Sequence, residues 1–343
     1  MSRVLVTGAT GYIGSHTIVE LINAGYNVVG VDNLCNSSIK TLDGIKMTTG
    51  KEIDFMQLDC SKLSEFRKVF DKFPDIDVAI HFAAYKAVGK SVENPLMYYT
   101  NNIAGLLNLI TLMKNNSRHA NIVFSSSATV YGQPSDELIP VKEDCPLEIP
   151  LSPYGHTKQM AEYILKDCAN AYIGFNVIAL RYFNPIGAHP KAYIGENVNG
   201  APQNLVPFIT QTAAGIRQCL YVFGNDYNTP DGTCIRDYID IVDLAKAHVK
   251  AVDKMLEHET GWNVYNLGTG KGTSVLEIIK AFEKVAGCRL NYKITKRRPG
   301  DVAKLWACAD KANKELGWKA ERTIEDSLLT AWNWQRKLME RTK

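Results

Sequence analysis

Three glycines near the start of the chain, Gly8, Gly11 and Gly14, constrain its fold more than any other feature of the sequence. They follow a β-branched run, Arg3–Thr7, and open a segment with helical periodicity, Tyr12–Ala24, so they lie at a strand-to-helix turn. There Gly8 permits the tight turn, Gly11 lets a pyrophosphate approach the backbone, and Gly14 lets helix and strand pack closely. Because the helix N-terminus presents N–H donors to an anion, the pattern predicts a dinucleotide site.

Carboxylates and small residues at the following strand ends support this prediction. Asp32 ends the next apolar run, where a carboxylate can hydrogen-bond the adenosine ribose and repel a 2′-phosphate, which favours NAD over NADP. Asp59-Cys60 follows a third strand, where the carboxylate can meet the adenine amine. Phe82-Ala83-Ala84 follows a fourth, where small residues let a cofactor lie across the sheet, although these alanines also suit ordinary packing.

Near-continuous apolar strands alternate with helical segments through the first half of the chain, which predicts a doubly wound α/β fold with a parallel sheet buried on both faces. The further strands are expected at Asn27–Asp32, Asp54–Leu58, Val78–Ala83, Asn121–Ser125 and Asn176–Arg181, with long helices at Pro95–Asn115 and Tyr154–Asn170. Segments then shorten and glycine and proline become more frequent. We therefore predict a Rossmann domain over residues 1–184 and a smaller α/β substrate domain over 185–343, with helices at Leu205–Gly215, Ile241–Met255, Ser274–Ala286 and Ile324–Leu338.

The composition excludes several other classes of protein. With 45% hydrophobic and 22% charged residues the chain is an ordinary globular one, and its net charge of +3 has no basic block that would suit nucleic acid. No apolar run approaches the roughly 20 residues of a membrane span. The eight cysteines form no C-x-x-C pair, so we expect free thiols, no metal site and a cytoplasmic location.

Tyr154 and Lys158 are spaced i and i+4, which places a phenol and an ammonium on one face of a helix that begins near Pro153. A free tyrosine has a pKa of about 10 and is a poor base, but a nearby fixed positive charge lowers that pKa by about one to three units. Such pairs are common on helices, yet this one follows a serine-rich strand end. We therefore predict that Tyr154 takes a hydroxyl proton and that Ser127 binds the substrate oxygen and relays the proton.

With these motifs in view, the chain resembles the extended short-chain dehydrogenase/reductases and, among them, the UDP-glucose (UDP-galactose) 4-epimerase family, from end to end. The matching segments in the first half are V-T-G-A-T-G-Y-I-G-S-H from Val6, D-N-L-C-N-S from Asp32, H-F-A-A-Y-K-A-V-G from His81, S-S-S-A-T-V-Y-G from Ser125, S-P-Y-G-H-T-K from Ser152 and L-R-Y-F-N-P-I-G-A-H from Leu180. Those in the second half are F-G-N-D-Y from Phe223, R-D-Y-I from Arg236 and Y-N-L-G-T-G from Tyr265.

The resemblance implies a redox-neutral cycle on a UDP-hexose, in which Tyr154 deprotonates the 4-hydroxyl and a hydride passes from C4 to NAD and returns to the opposite face. The cofactor is then expected to stay bound, the sugar to be held through its UDP group, and the protein to be a homodimer. Together the motifs and the resemblance predict cofactor contacts from Gly8, Gly11, Tyr12, Ile13, Gly14, Asp32, Asn33, Cys35, Asn36, Ser37, Asp59, Cys60, Phe82, Ala83, Ala84, Lys86, Asn101, Ser125, Tyr154, Lys158, Tyr182 and Phe183.

For the substrate, Arg236 and Arg298 are the expected diphosphate partners, because a guanidinium fork matches phosphate oxygens. Without the resemblance, Arg298 could equally be a solvated loop charge in a basic run. The remaining substrate contacts implied by the resemblance are Lys86, Ser127, Tyr154, Phe183, Asn184, Asn204, Leu205, Tyr221, Val222, Phe223, Asp301 and Leu305. Where bacterial members carry a tyrosine beside the sugar, this chain has Leu305, so one hypothesis is that it also accepts the N-acetylated UDP-hexoses.

Three other functions remain as alternatives. A nucleotide-sugar 4,6-dehydratase needs an acidic pair beside the serine or threonine to eliminate water, and the equivalent places here hold Ala128 and Thr129. A net dehydrogenase would have to release its reduced cofactor. A non-catalytic NAD-binding protein would be expected to lose the tyrosine–lysine pair, which this chain keeps.

Overall fold

The computed structural model of the protein describes residues 2–116, 119–197, 200, 202–298 and 300–341. Its first half alternates strands and helices as the apolar pattern predicts. These elements are β1 (Arg3–Thr7), α1 (Tyr12–Asn23), β2 (Asn27–Asp32), α2 (Lys40–Thr49), β3 (Asp54–Gln57), α3 (Leu63–Lys72), β4 (Ile76–His81), α4 (Val88–Glu93), α5 (Pro95–Asn116), β5 (Ala120–Ser127), α6 (Pro153–Ala171) and β6 (Phe175–Tyr182).

The second half contributes shorter elements. They are β7 (Asn184–Ile186), α7 (Leu205–Ala213), β8 (Leu220–Phe223), β9 (Ile235–Arg236), β10 (Tyr238–Asp240), α8 (Ile241–Glu257), β11 (Trp262–Leu267), β12 (Thr273–Ser274), α9 (Val275–Ala286), β13 (Tyr292–Thr295), β14 (Lys304–Leu305), α10 (Asp310–Glu315) and α11 (Ile324–Arg341). Most of these strands form small sheets, in which β10 pairs with β7, β13 with β8, and β9 lies between β12 and β14.

A seven-stranded sheet dominates the fold, with the order β11-β6-β5-β4-β1-β2-β3 and parallel pairing throughout. The doubly wound α/β prediction is therefore confirmed. The chain winds in opposite directions from β1, so the order reverses between β1 and β4. Ligands of doubly wound sheets bind beyond the carboxyl ends of the strands at this reversal, and the glycine turn follows β1 there.

Alternation along the strands fills two hydrophobic layers. Val4 and Val6 contribute to a buried cluster that includes Ile18 of α1 and Leu244 of α8, whereas Leu5 contributes to a second cluster on the other face. Helices α3, α5 and α6 supply that second cluster. Because both faces of the sheet are covered, its strands are apolar along their whole length, which is what made them visible in the sequence.

The observed boundaries depart from the predicted ones by small amounts. The strand expected at Val78–Ala83 is β4, Ile76–His81, and the strand expected at Asn121–Ser125 extends over all of β5. The division after residue 184 stays a prediction. Two elements beyond it return to the first half, since β11 forms the edge of the large sheet beside β6 and α8 packs against α1. The second region is therefore interleaved with the first.

Candidate active site

The glycine turn connects β1 to α1 at the carboxyl edge of the sheet. Gly8 has a φ of +71°, and a methyl group on it would lie 2.9 Å from the Ala83 nitrogen. A methyl group on Gly14 would lie only 2.2 Å from the Gly8 carbonyl oxygen, so helix and turn are in close contact. Gly11 forms the N-cap of α1 and provides no side-chain cap. The first N–H groups of α1 are thus available to an anion in front of the helix.

Asp32 organises the loop that follows β2. Its carboxylate accepts hydrogen bonds from the Thr10 and Leu34 backbone N–H groups, at 3.1 and 2.9 Å, and from the Ser37 hydroxyl at 3.0 Å. Leu34 has a φ of 60°, a left-handed conformation that this hydrogen bond helps to hold. Asp32 therefore stabilises the turn that follows β2, and it also lines the cavity described next.

A cavity of about 420 Å³ lies at this edge of the sheet, within the size range of small-molecule sites. It brings together most of the residues predicted to contact a cofactor, namely Gly8, Gly11, Tyr12, Ile13, Gly14, Asp32, Asn33, Cys35, Asn36, Asp59, Cys60, Phe82, Ala83, Ala84, Lys86, Asn101, Ser125, Tyr154, Lys158 and Tyr182. Ser37 and Phe183 are not part of this lining. The Ser37 hydroxyl donates to the Asp32 carboxylate, and Phe183 packs in a buried cluster with Leu305.

The cavity also has lining residues that the sequence did not indicate: Leu58, Ser61, Tyr85, Ala87, Lys90, Met97, Tyr98, Gly105, Glu196, Asn197 and Gln203. Glu196 is the most connected of them. Its carboxylate accepts from Asn204 at 2.8 Å and pairs with Lys86 at 3.3 Å, and its carbonyl accepts from the Trp334 indole at 3.1 Å. It thereby ties two predicted binding residues, from different parts of the chain, to the last helix.

Tyr154 lies in the first turn of α6, which begins with a capping serine and a proline. Ser152 is the N-cap and its hydroxyl accepts from the Gly155 N–H at 3.2 Å, while Pro153 occupies the first turn. Lys158 follows one turn later and donates to the Ser125 carbonyl, with its ammonium nitrogen 5.9 Å from the centre of the Tyr154 ring. The cavity therefore holds the phenol and the amine side by side.

Ser127 caps a short helix and lies within hydrogen-bonding distance of Tyr154, while its predicted contact with the substrate oxygen stays a prediction. Its hydroxyl caps the short 3₁₀ helix after β5, accepting from the Thr129 N–H at 3.2 Å and the Thr129 hydroxyl at 3.0 Å. It also forms a hydrogen bond with Tyr154 that acts to lower the pKa of the phenol. A serine held by a cap on one side can face a substrate oxygen on the other without losing its position.

The protonation of the pair differs from the expectation based on charge alone. Burial raises the pKa of Tyr154 to about 12, and the hydrogen bond from Ser127 opposes this rise only in part. Burial also lowers the pKa of Lys158 to about 7, while the carboxylate of Glu162, one turn further along α6, acts to raise it. The predicted lowering of the Tyr154 pKa by Lys158 is not observed, because desolvation disfavours both charges in this environment.

A buried ion pair lies behind α6, the helix that carries Tyr154 and Lys158. The Arg181 guanidinium donates to both carboxylate oxygens of Glu162, at 2.9 and 2.7 Å, and to the Tyr131 hydroxyl at 2.9 Å. Ser126 also donates to Glu162. This network joins β5, β6 and α6 and leaves no charged atom of the pair without a partner. Since Glu162 lies on the Lys158 face of α6, the network supplies a fixed negative charge behind the amine.

The expected diphosphate residues meet in the second half of the chain. Asp301 accepts two hydrogen bonds from the Arg298 guanidinium, at 3.1 and 2.7 Å, and lies 3.7 Å from Arg236. The Arg298 guanidinium carbon is 5.8 Å from the centre of the Phe223 ring. The Arg298 side chain is 54% exposed, so a solvated loop charge with a local ion pair remains an alternative to a phosphate ligand. The structure holds two guanidinium groups around one carboxylate, an arrangement that suits an anionic ligand.

The other predicted substrate residues lie on the elements around this cluster. Leu305 pairs in register with Arg236, and its buried side chain packs with Phe183 and with Ala128, the neighbour of Ser127. Tyr221 and Phe223 are exposed on β8, whereas Val222 between them is buried. Asn184 begins β7, and Asn204 and Leu205 are the N-cap and first residue of α7. Asn204 and Lys86 also line the cavity.

Among the described residues, no helix has the length and apolar character of a membrane span. Within that same part of the chain, no group of three or more histidine, cysteine, aspartate or glutamate side chains is arranged to hold a metal ion. All eight cysteines carry free thiols.

Comparison with known proteins agrees with this geometry. A family model described as GDP-mannose 4,6 dehydratase matches residues 5–330. A UDP-glucose 4-epimerase from Haemophilus influenzae is 51% identical over 333 residues, which is 97% of each chain.

Solved structures of similar proteins also match along the whole chain. The crystal structure of UDP-glucose 4-epimerase from Bifidobacterium longum in complex with NAD⁺ and UDP is 47% identical, covers 98% of both chains and has a TM-score of 0.94. A UDP-Glc/GlcNAc 4-epimerase from Campylobacter jejuni is 35% identical with a TM-score of 0.83, over 98% of this chain and 100% of that one. The chain therefore belongs to the GDP-mannose 4,6 dehydratase family of extended short-chain dehydrogenase/reductases and, within it, to the UDP-glucose 4-epimerases.

Proposed function

We propose that the chain interconverts UDP-galactose and UDP-glucose through a transient 4-keto sugar, with NAD as its cofactor. The observation that carries this proposal is the meeting of Tyr154, Lys158 and Ser127 beside the cavity at the sheet reversal. Bound NAD supplies a nicotinamide ring that accepts a hydride from the sugar and later returns it. The relatives with half or nearly half of their residues identical carry the same activity in their names.

The residues of the cavity fit a dinucleotide. At Gly11 an added methyl group would contact only the Gly8 carbonyl oxygen, at 3.1 Å, so the space beyond the turn is open to a pyrophosphate. The uncapped start of α1 supplies N–H donors to it. Asp32 lies at the end of β2. Its carboxylate can accept hydrogen bonds from the ribose hydroxyls and would repel a 2′-phosphate. These features favour NAD over NADP.

Tyr154 and Ser127 move the proton of the sugar hydroxyl. Ser127, held by its bonds to Thr129, presents its hydroxyl to the substrate oxygen and to Tyr154. Tyr154 takes the proton when positive charge at the site favours the phenolate. Lys158 supplies that charge in its protonated form, which Glu162 favours from behind. Arg236 and Arg298 bind the diphosphate, so the sugar itself is free to turn between its two orientations.

A 4,6-dehydratase is the alternative that the family model raises by its name. Elimination of water needs an acid and a base beside the serine. Ala128 and Thr129 occupy those places, and the Thr129 hydroxyl is already bonded to Ser127. The epimerase therefore remains the better assignment, and the retained tyrosine–lysine pair disfavours a non-catalytic NAD-binding protein.

The N-acetylated UDP-hexoses are proposed as additional substrates. Leu305 is smaller than a tyrosine, and it packs with Ala128 and Phe183 close to Ser127, where the sugar is expected. The similar protein from Campylobacter jejuni is named as acting on both kinds of sugar. Turnover of UDP-N-acetylgalactosamine is expected, and Leu305→Tyr should abolish it while UDP-galactose is still converted. Equal effects on both substrates would contradict this role of Leu305.

We further propose a homodimer formed through α5 and α6. Leu107, Met160 and Tyr163 expose 45, 48 and 55% of their surfaces on these helices, which is typical of a helical interface. Met160→Asp should convert a dimer to a monomer in light scattering, and a monomeric wild type would contradict the proposal. Free thiols are consistent with the proposed cytoplasmic location. The proposed role in galactose metabolism follows from the proposed substrates alone.

A coupled assay tests the main activity. Purified protein is incubated with UDP-galactose, without added NAD, and the formation of UDP-glucose is followed. Turnover is expected, since the cofactor must stay bound through the cycle. If no product forms even after NAD is added, the epimerase assignment is wrong.

A further inference from the structure

His248 is a buried histidine of α8 that contacts the cavity wall from behind. Its side chain is 0% exposed, and its ring centre lies 4.9 Å from that of Phe82 and 5.3 Å from that of Tyr182. Phe82 and Tyr182 both line the cavity. The histidine therefore supports two residues at the site, although its own side chain is not part of the lining.

The two ring nitrogens of His248 have different partners, and this fixes the position of its proton. Nδ1 lies 2.8 Å from the Leu244 carbonyl oxygen, and Nε2 lies 2.8 Å from the Tyr182 hydroxyl. Because a carbonyl can only accept, Nδ1 carries the proton. Burial lowers the pKa of His248 to about 4, so the ring is neutral near pH 7. Nε2 is then an acceptor, and Tyr182 must donate to it.

The donation from Tyr182 to His248 also determines the direction of the next hydrogen bond, which lies on the cavity side. Tyr182 has one hydroxyl proton, which is used on His248, so its oxygen can only accept on the cavity side. Ser125 is the hydrogen-bonding partner of Tyr182 there, and its hydroxyl must therefore donate. The carbonyl of Ser125 accepts from Lys158, which places this chain of bonds beside the catalytic amine. The proton order runs from Ser125 to Tyr182, then to His248 and finally to Leu244.

The consequence is that the hydroxyl oxygens of Ser125 and Tyr182 offer lone pairs, and no protons, to a ligand in this part of the cavity. A carboxamide presents N–H donors to such a wall, whereas a carboxylate presents only acceptors. We propose that His248 is a positioning residue that makes the site select a dinucleotide with a carboxamide on its reacting ring over one with a carboxylate. This inference rests on the proposed function, since it places the reacting ring beside Lys158 and Tyr154.

A competition experiment tests the inference without turnover. The purified protein is dialysed to equilibrium against equal concentrations of NAD and nicotinic acid adenine dinucleotide, which differ only in this group. The bound dinucleotides are released and quantified by chromatography. The wild type is expected to retain mainly NAD. The informative quantity is the change in the bound ratio between variants, because charges elsewhere in the site affect all variants equally.

His248→Phe keeps a ring beside Phe82 but removes the acceptor, so the Tyr182 proton becomes free to point into the cavity. The ratio should shift towards the carboxylate dinucleotide by about tenfold, the value of one hydrogen bond. His248→Gln is the matched control, because its amide oxygen can reach the position of Nε2 and accept from Tyr182. It should stay within about threefold of the wild-type ratio. A wild-type ratio in His248→Phe would overturn the proposal.

Tyr182→Phe provides a second variant in case His248→Phe does not fold. Without the phenol, the Ser125 hydroxyl can donate to the ligand, so the ratio should shift in the same direction. Combining both substitutions should add little, since they break one chain of bonds. An unchanged ratio in Tyr182→Phe contradicts the inference. Because the exchange needs no sugar, its outcome is separate from the assay on UDP-galactose, and either can fail alone.

Discussion

The two halves of the site are built in different ways. At the glycine turn, the site is formed by the backbone. Gly14 packs closely against Gly8, no side chain caps the start of α1, and Asp32 accepts a hydrogen bond from the Thr10 N–H. Around Arg298, charged side chains form the site, and Asp301, which precedes β14, holds the Arg298 guanidinium. Backbone at a sheet edge cannot be changed without changing the fold, whereas a guanidinium can be removed alone. Substitutions at the glycine turn should therefore mainly lower the stability of the protein, whereas substitutions around Arg298 should mainly lower its affinity for the ligand.

The proposed catalytic residues connect the two halves of the site, and Tyr154→Phe should have the largest effect. The substitution removes the acidic proton but keeps the ring, so turnover of UDP-galactose should fall about a thousandfold while NAD stays bound. Tyr163→Phe, on the same helix and largely exposed, is the control and should retain activity. Substantial turnover by Tyr154→Phe would assign the base to another group.

Gly14→Ala tests the glycine turn, the part of the site that is formed by the backbone. The new methyl group would lie 2.2 Å from the Gly8 carbonyl oxygen, and only a backbone shift can relieve that overlap. We expect a loss of about 3 kcal/mol in the free energy of unfolding, together with a loss of bound dinucleotide. Gly89→Ala in α4 has no atom within 4 Å of the added carbon and serves as the control in the same denaturant titration. Similar midpoints for the two variants would refute the close packing.

This difference also explains what could be predicted from the sequence. The turn, the strand ends and the Tyr154–Lys158 pair depend on spacing within one or two elements, so local pattern was sufficient. Glu196 depends on Lys86, 110 residues away, and His248 on Tyr182, 66 residues away, and no local pattern indicates such contacts. The small sheets escaped prediction for the same reason, since β9 is only two residues long and pairs with strands distant in the chain.

Arg298→Ala tests the second part of the site, which is formed by charged side chains around Asp301. Removing a guanidinium that is proposed to bind phosphate should weaken UDP binding by about tenfold to a hundredfold, measured by calorimetry. The melting temperature should change little, because the Arg298 side chain is more than half exposed and its ion pair is with Asp301, three residues along the chain. The neighbouring Arg297 pairs with Asp226 instead, so Arg297→Ala should leave UDP affinity near that of the wild type. Equal losses in both variants would indicate a general effect of charge.

The pH dependence of stability is the smallest expected effect, and it concerns Lys158. Burial lowers its pKa to about 7, below the usual value of about 10.4. Between these values the unfolded chain binds a proton that the folded protein does not, so stability should rise with pH across this window. Lys158→Met removes the titrating group. Its melting temperature, relative to the wild type, should therefore be highest below pH 7 and should fall as the pH approaches 10. Lys166→Met, at an exposed position of the same helix, is the control, and a parallel profile for both variants would show that the Lys158 amine is not titrating in this range.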